Sequence, residues 1–329
     1  MLGRKQSNIL VIKTDGLTAF VAADPVFEAI RNACPKAKIS LLTTQGLQRI
    51  ARASPYFDQV AAMPNLKDKE ARKEFVRQLK ASKFETVYDL SGDESARRLK
   101  GAMGPFRPKW HAADPAPRPS AKGGGSPTPR LDKLAESAGL AVSDRLPDLT
   151  WAVSARKDSA NMQPSWYGIS GVFGMLLPGE TADRRWSSAG YAGLAKRMSE
   201  AGIMPVLAGS KSLHNFADEV AHEAPQLVDL TGKTDHLQLA ALAQEAAFFV
   251  SDCAEEMQLA LSVGCEGVVI CPARALFSAE GRHIVTLTAP SDQGKGDLGA
   301  VEPDFVWRTL SNMGLLGFDR PAPVSAQAR

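Results

Sequence analysis

Cysteine is scarce in this chain of 329 residues: four stand at positions 34, 253, 265 and 271, with no CxxC pair and no histidine at zinc-ligand spacing. That argues against a disulfide framework or a structural zinc site and reads as free thiols in a reducing compartment. An excess of one charge is also missing. Thirty-nine Lys and Arg face 36 Asp and Glu, a net charge of +3, too small to imply nucleic acid as a partner. Long apolar runs are absent too. The run that follows MLGRKQSN is stopped by Lys13, too short for a signal peptide. No stretch approaches the roughly 20 apolar residues needed to cross a bilayer, so the expectation is a cytoplasmic protein. Gly123-Gly124-Gly125 is not followed by Gly-Lys-Ser/Thr at the required spacing, which excludes a P-loop.

What is present is the mixture of a soluble globular protein, 44% apolar and 23% charged, in a chain long enough for two domains. Short apolar runs alternate with amphipathic segments. Strands are expected at 9–12, 38–43, 59–63 and 86–90, and helices around 26–33, 46–53 and 68–82. Pro25 lies near the start of the first helix or breaks its first turn. A helix over 130–138, an extended piece at 149–153 and a polar linker at 154–168 close the first half. Beyond it, strands are expected at 204–208, 248–251, 267–270 and 284–287, with helices at 213–222, 237–247, 255–263 and 303–313. This alternation is the signature of βαβ units and parallel sheets, twice over, with a cleft between two domains where a small-molecule site would sit.

The most informative stretch is GVFGMLLPGETADRRWSSAGYAGLAKRM, residues 171–198. Its apolar run ends at Pro178-Gly179, as a buried strand ending in a turn does. After Arg184, Arg185 and Trp186, a serine can cap a helix whose apolar positions Tyr191, Leu194, Ala195 and Met198 recur at three and four. Two arginines between a strand end and a helix N-terminus suit an anion, phosphate first. An exposed basic loop at a sheet edge is the alternative.

Two other stretches are distinctive. Residues 97–109, RRLKGAMGPFRPK, set basic side chains around Met103 and Phe106, as at an interfacial site on an anionic acceptor or membrane surface, or simply as a solvated helix and turn. Residues 114–129 are rich in Pro, Gly and Ser and read as a flexible surface loop.

Several segments in order resemble glycosyltransferase family nine, the ADP-heptose:lipopolysaccharide heptosyltransferases. They are NILVIKTDGLTAFVAADPVFEAIRNACPKAKISLLTTQGL, YDLSGDESARRL, LLPGETADRRWSSAGYAGLAKRMSEAGIMPVLAGS and LTGKTDHLQLAALAQEAAFFVSDCAEEMQLALSVG, together covering roughly 8–315. The resemblance implies an α/β GT-B fold, two facing Rossmann-like parallel-sheet domains with an interdomain cleft. An acceptor-side domain would take 1–160 and a nucleotide-sugar-side domain 161–302, with the helix at 303–315 packing back on the first. It further implies inverting, metal-independent transfer of a sugar from a nucleotide-sugar donor such as ADP-heptose, without a cofactor. The acceptor would be the lipopolysaccharide core or another lipid-linked or cell-surface glycan, with peripheral contact at the inner membrane.

Such a transfer needs a carboxylate to take the acceptor's proton and cations or helix N-terminal amides to receive the leaving diphosphate. The resemblance implies donor contacts from Pro178, Gly179, Thr181, Arg184, Arg185, Trp186, Gly209, Asp252, Met257 and Gln258, and acceptor contacts from Lys13, Thr14, Arg97 and Arg98. For Trp186 packing beneath the loop is the competing role, and for Asp252 a helix N-cap. The departures are as telling. The family's Gly-Asp, whose aspartate is the base, falls on Thr18-Ala19, and alanine takes no proton. Asp15, on the same loop, is the nearest substitute base, or else a turn residue before Gly16; Asp24 already lies in the helix. Gln258 stands at the family's histidine, and Glu255-Glu256 put acid at a helix N-terminus that would otherwise attract phosphate. Two readings follow: a transferase with a displaced base, or a related scaffold that binds without catalysis. A nucleotide-sugar epimerase would want a histidine and carboxylate set that is missing.

Overall fold

The computed structural model of the chain describes residues 6–104, 107–114, 131–155, 159–271, 283–289 and 298–317. All but Asp114 of the expected surface loop at 114–129 lies outside them, as does Phe106. The chain divides into two compact units, Met1–Ser159 with Asp235–Ala240, and Ala160–Thr234 with Ala241–Arg329. The boundary falls inside the linker expected from composition.

In the first unit the strands are β1 (Asn8–Lys13), β2 (Lys38–Thr43), β3 (Gln59–Ala62), β4 (Thr86–Asp89) and β5 (Lys109–Ala112). Its helices are α1 (Leu17–Ala22), α2 (Asp24–Ala33), α3 (Gln48–Arg52), α4 (Lys69–Ala81), α5 (Glu94–Met103), α6 (Asp132–Ala138) and α7 (Thr150–Ser154). The sheet is parallel, in the order β3-β2-β1-β4-β5. β1 is buried over five of its six residues, as expected for a strand covered on both faces. Leu10 and Ile12 pack with Leu79, Leu99 and Met103 from α4 and α5. Pro25 sits in the first turn of α2, where a missing N–H costs nothing, and the break between α1 and α2 falls at Ala23.

In the second unit the strands are β6 (Phe173–Leu177), β7 (Met204–Leu207), β8 (Val228–Asp229), β9 (Phe249–Ser251), β10 (Gly267–Cys271) and β11 (Ile284–Thr288). They lie parallel in the order β11-β10-β9-β6-β7-β8. The helices are α8 (Ser188–Glu200), α9 (His214–Glu223), α10 (His236–Glu245), α11 (Met257–Ser262) and α12 (Pro303–Asn312). Residues 235–240, at the start of α10, group with the first unit. No described helix is long and apolar enough to cross a membrane.

Three expectations change. The piece at 149–153 is the helix α7, because Leu149, Ala152 and Val153 bury one face at helical spacing while the Asp148 carboxylate accepts from the Thr150 N–H at 2.9 Å. β5 carries no apolar run, Lys-Trp-His-Ala, and as the sheet's edge strand it needs none. The closing helix, expected to pack on the first unit, buries Val306 and Leu310 in the second unit's core with Trp186 and Tyr191. Its apolar face is complementary to α8 and β10 of its own unit.

Candidate functional site

In an open parallel sheet, the crevice at the carboxyl ends of the strands opens where the strand order reverses. That point lies between β1 and β4 in the first sheet and between β6 and β9 in the second. Each holds a polar network built around one aspartate.

At the end of β1, Lys13 is fully buried and donates to the Asp15 carboxylate at 3.1 Å and to the Leu90 carbonyl at 3.0 Å. The Ser91 hydroxyl reaches the other Asp15 oxygen at 3.4 Å, and itself accepts the Thr14 N–H at 2.7 Å. Thr14 Oγ1 donates to Asp93 at 2.8 Å, and Asp93 caps α5 by accepting the Ala96 N–H at 2.7 Å. Below, the buried Asp89 carboxylate accepts the N–H groups of Ser91 and Gly92. Burial pushes Asp15 above the usual carboxylate range, and the Lys13 ammonium pulls part of that back. Burial likewise lowers Lys13. With its side chain 16% exposed, Asp15 is a carboxylate that water or a ligand can reach, its pKa raised, its orientation set from two sides. Such a group can accept a proton.

Lys13 therefore serves as counter-ion; a fully buried ammonium has no surface for an acceptor. Thr14 is spent on Asp93 and Ser91. Arg97 is exposed, while Arg98 pairs with Glu94 along α5 and lines a groove of about 310 Å³ with Leu66 and Lys67. Met103 packs inward with Leu99, so the stretch at 97–109 lacks that apolar contribution to an interfacial site. Ala19, at the family's base position, is buried in α1. Asp24 is 1% exposed and clamped by Arg145 at 2.6 Å, the Asp148 N–H at 3.1 Å and Trp151 Nε1 at 3.2 Å, a structural carboxylate.

In the second unit Asp252 follows β9 and is 3% exposed. One oxygen accepts the Gly179 N–H at 2.5 Å and the other the Trp186 N–H at 2.7 Å. The aspartate thus staples both ends of the loop between β6 and α8. It does not cap α11, whose first residue is Met257. Burial pushes Asp252 up to about 6 despite the two N–H donors. Ser251 adds a second tie, donating to the Leu177 carbonyl at 2.8 Å. Trp186 fills the space beneath the loop: 1% exposed, it lies edge-on to Tyr191 with ring centroids 5.0 Å apart and donates Nε1 to the Val301 carbonyl at 2.9 Å. Glycine is required at 190, where a Cβ would stand 2.4 Å from the Trp186 ring.

Between the staples the two arginines part. Arg185 lies over the Phe216 ring at 4.1 Å and donates to the Gly179 carbonyl at 3.2 Å. Arg184 is exposed and forms no ion pair with another described residue. Behind it α8 begins, with Ser187 accepting the Gly190 N–H at 3.1 Å. Thr181 is exposed on the same loop, Pro178 is buried, and the Gly209 carbonyl accepts the Gly232 N–H at 2.8 Å. Met257 is buried and Gln258 half-buried. Acid gathers nearby: burial, then Glu180, Glu255 and Asp252, raise Glu256 above the usual carboxylate range. The sequence pattern did not single out Ser91, Asp89, Asp93 or Phe216 as site residues. Three of them lie in YDLSGDES, where an aspartate ending a strand beside Ser-Gly-Asp is a legible turn signal.

Residues 131–264 match the family model of glycosyltransferase family 9 (heptosyltransferase). No curated protein matches the chain in sequence. Among solved structures, the family 9 glycosyl transferase of Veillonella parvula superposes with a TM-score of 0.74 at 18% identity, over 94% of this chain and 97% of that one. The E. coli ADP-heptose lps heptosyltransferase II gives 0.73 at 16%, over 94% and 98%. The E. coli heptosyltransferase WaaC, solved with ADP-2-deoxy-2-fluoro heptose, gives 0.69 at 15%, over 93% and 99%. The resemblance read from the sequence holds: residues 131–264 match the glycosyltransferase family 9 model, and the two parallel-sheet units have the fold of GT-B neighbours at low identity.

Proposed function

We propose that this protein transfers a sugar, a heptose or one like it, from a nucleotide diphosphate sugar to a lipopolysaccharide-core or other cell-surface glycan, with inversion and without a metal. The observation that carries the reading is the stapled loop between β6 and α8, which offers an exposed Arg184 ahead of a capped helix N-terminus. A departing diphosphate gathers negative charge, and a guanidinium fork with free N–H groups is suited to receive it. Asp15 takes the proton of the acceptor hydroxyl as that oxygen attacks the anomeric carbon and the bond to the diphosphate breaks. Attack from the side opposite the leaving group inverts the anomeric centre. ADP-sugars are the first donors to test, because the E. coli neighbour was solved with one.

A second reading, a scaffold that binds without turnover, is favoured by one observation: the carboxylates of Glu180, Glu255 and Glu256 beside the same loop, which oppose an anionic donor. Calorimetric titration with ADP-sugars and UDP-sugars separates the two. Saturable binding that weakens about tenfold in Arg184→Ala supports the transferase. No saturable binding, or binding indifferent to Arg184→Ala, defeats it.

A further inference from the structure

The cysteines are unremarkable as a sequence pattern, with neighbours separated by 219, 12 and 6 positions. The second sheet changes that. β9 and β10 are parallel neighbours with Ser251 opposite Val269, and counting two residues on from each gives Cys253 and Cys271. The ladder ends at Ser251, and adjacent strands run about 4.8 Å apart, within the Cα separation a disulfide spans, so residues just past the paired ends lie close. The thiols meet: Cys253 Sγ lies 2.7 Å from Cys271 Sγ. Cys271 is buried at the end of β10, whereas Cys253 is exposed and holds a left-handed φ of 68° as the chain leaves β9. The other two thiols are elsewhere, Cys34 at the C-cap of α2 and Cys265 directed to the Glu266 carbonyl.

We propose that Cys253 and Cys271 form a dithiol that hydroperoxides convert to an intramolecular disulfide and that dithiols restore. The exposed Cys253 meets the oxidant. Its sulfur takes one peroxide oxygen to give the sulfenic acid, and the alcohol leaves. Cys271 then attacks that sulfur, the S–S bond forms, and water departs. Two thiols and one hydroperoxide thus yield one disulfide, one alcohol and one water, the sulfurs oxidised and the peroxide reduced. The contact carries the argument: the two sulfurs already lie 2.7 Å apart.

The inference does not depend on the proposed transfer reaction, because its readout is covalent. Full-length protein is reduced, treated with tert-butyl hydroperoxide, then denatured and alkylated with N-ethylmaleimide for intact-mass and peptide analysis. Two adducts instead of the four available thiols, a protein mass lower by about 2 Da before alkylation, and one linked peptide joining 253 to 271 are expected, all reversed by dithiothreitol. The variant with Cys34→Ser and Cys265→Ser keeps the link; Cys253→Ser loses it. Four adducts at a peroxide dose that fully oxidises a small dithiol standard, or a link that involves Cys34 or Cys265, overturns the proposal.

Discussion

Two aspartates occupy the same topological place in the two sheets, yet they do opposite things. Asp15 follows β1 at one reversal point, keeps 16% of its side chain exposed, and is bound by side chains, Lys13 and Ser91. Asp252 follows β9 at the other, is 3% exposed, and gives both oxygens to backbone N–H groups. Side-chain partners leave a carboxylate with lone pairs to use and a pKa that can be tuned. Backbone partners convert it into part of the fold. The position in the sheet makes a site; what the carboxylate accepts decides whether chemistry is left over. By that criterion Asp15 is equipped for proton transfer and Asp252 for holding the loop that carries Arg184.

The sharpest way to break the contrast is Asp252→Ala. It strands two backbone N–H donors in a buried place, a loss of about 2–5 kcal/mol in urea unfolding, whereas Asp15→Asn, whose amide oxygen still accepts from Lys13, should lose about 1 kcal/mol. Equal losses would erase the distinction.

Next comes pH. Asp252 rises from the usual 3.8 to about 6 in the folded protein, so the fold holds that proton more tightly than the unfolded chain does. Its contribution is fully present below the unfolded value and is lost as pH rises through about 6, up to about 3 kcal/mol in total. Compared with Asp252→Asn, the wild type should gain stability between about pH 7 and pH 4; parallel curves would show that burial does not raise the group.

Lys13 sharpens the other side. Its ammonium opposes the burial that raises Asp15, so Lys13→Met should move the acid limb of turnover to higher pH. An unmoved limb would mean that Asp15 does not set it. The smallest effect concerns the arginines. Arg185→Ala removes the contact with Phe216 and the bond to Gly179, a cost of about 1 kcal/mol. Arg184→Ala should change stability by less than about 0.5 kcal/mol in thermal melts and act only on donor binding.

Much of the fold was legible because its signals are local. The runs at 9–12, 38–43 and 267–270 became β1, β2 and β10 within a residue or so, and Ser187 caps α8 as its place before the apolar repeat indicated. Failures came where tertiary context decides. β5 is recruited by pairing with β4, and α7 by burial of Leu149 and Ala152, neither of which leaves a periodic trace long enough to read. For the final helix, amphipathicity says that a face is buried but not against what, and Val306 and Leu310 enter the second unit's core. Lys13, Asp15, Arg184 and Asp252 stand out in the sequence by residue type and loop position. Their roles do not: whether a lysine points to solvent or into the sheet, and whether a carboxylate accepts from a side chain or the backbone, depends on partners 66 to 77 residues away.

The measurement that bears most directly on the account is nucleotide-diphosphate release from a saturating donor sugar by wild type and Asp15→Asn, with donor affinity taken from the same samples. The account predicts that release falls by about 10²- to 10⁴-fold while affinity stays within about twofold. Release at the wild-type rate by Asp15→Asn would contradict it.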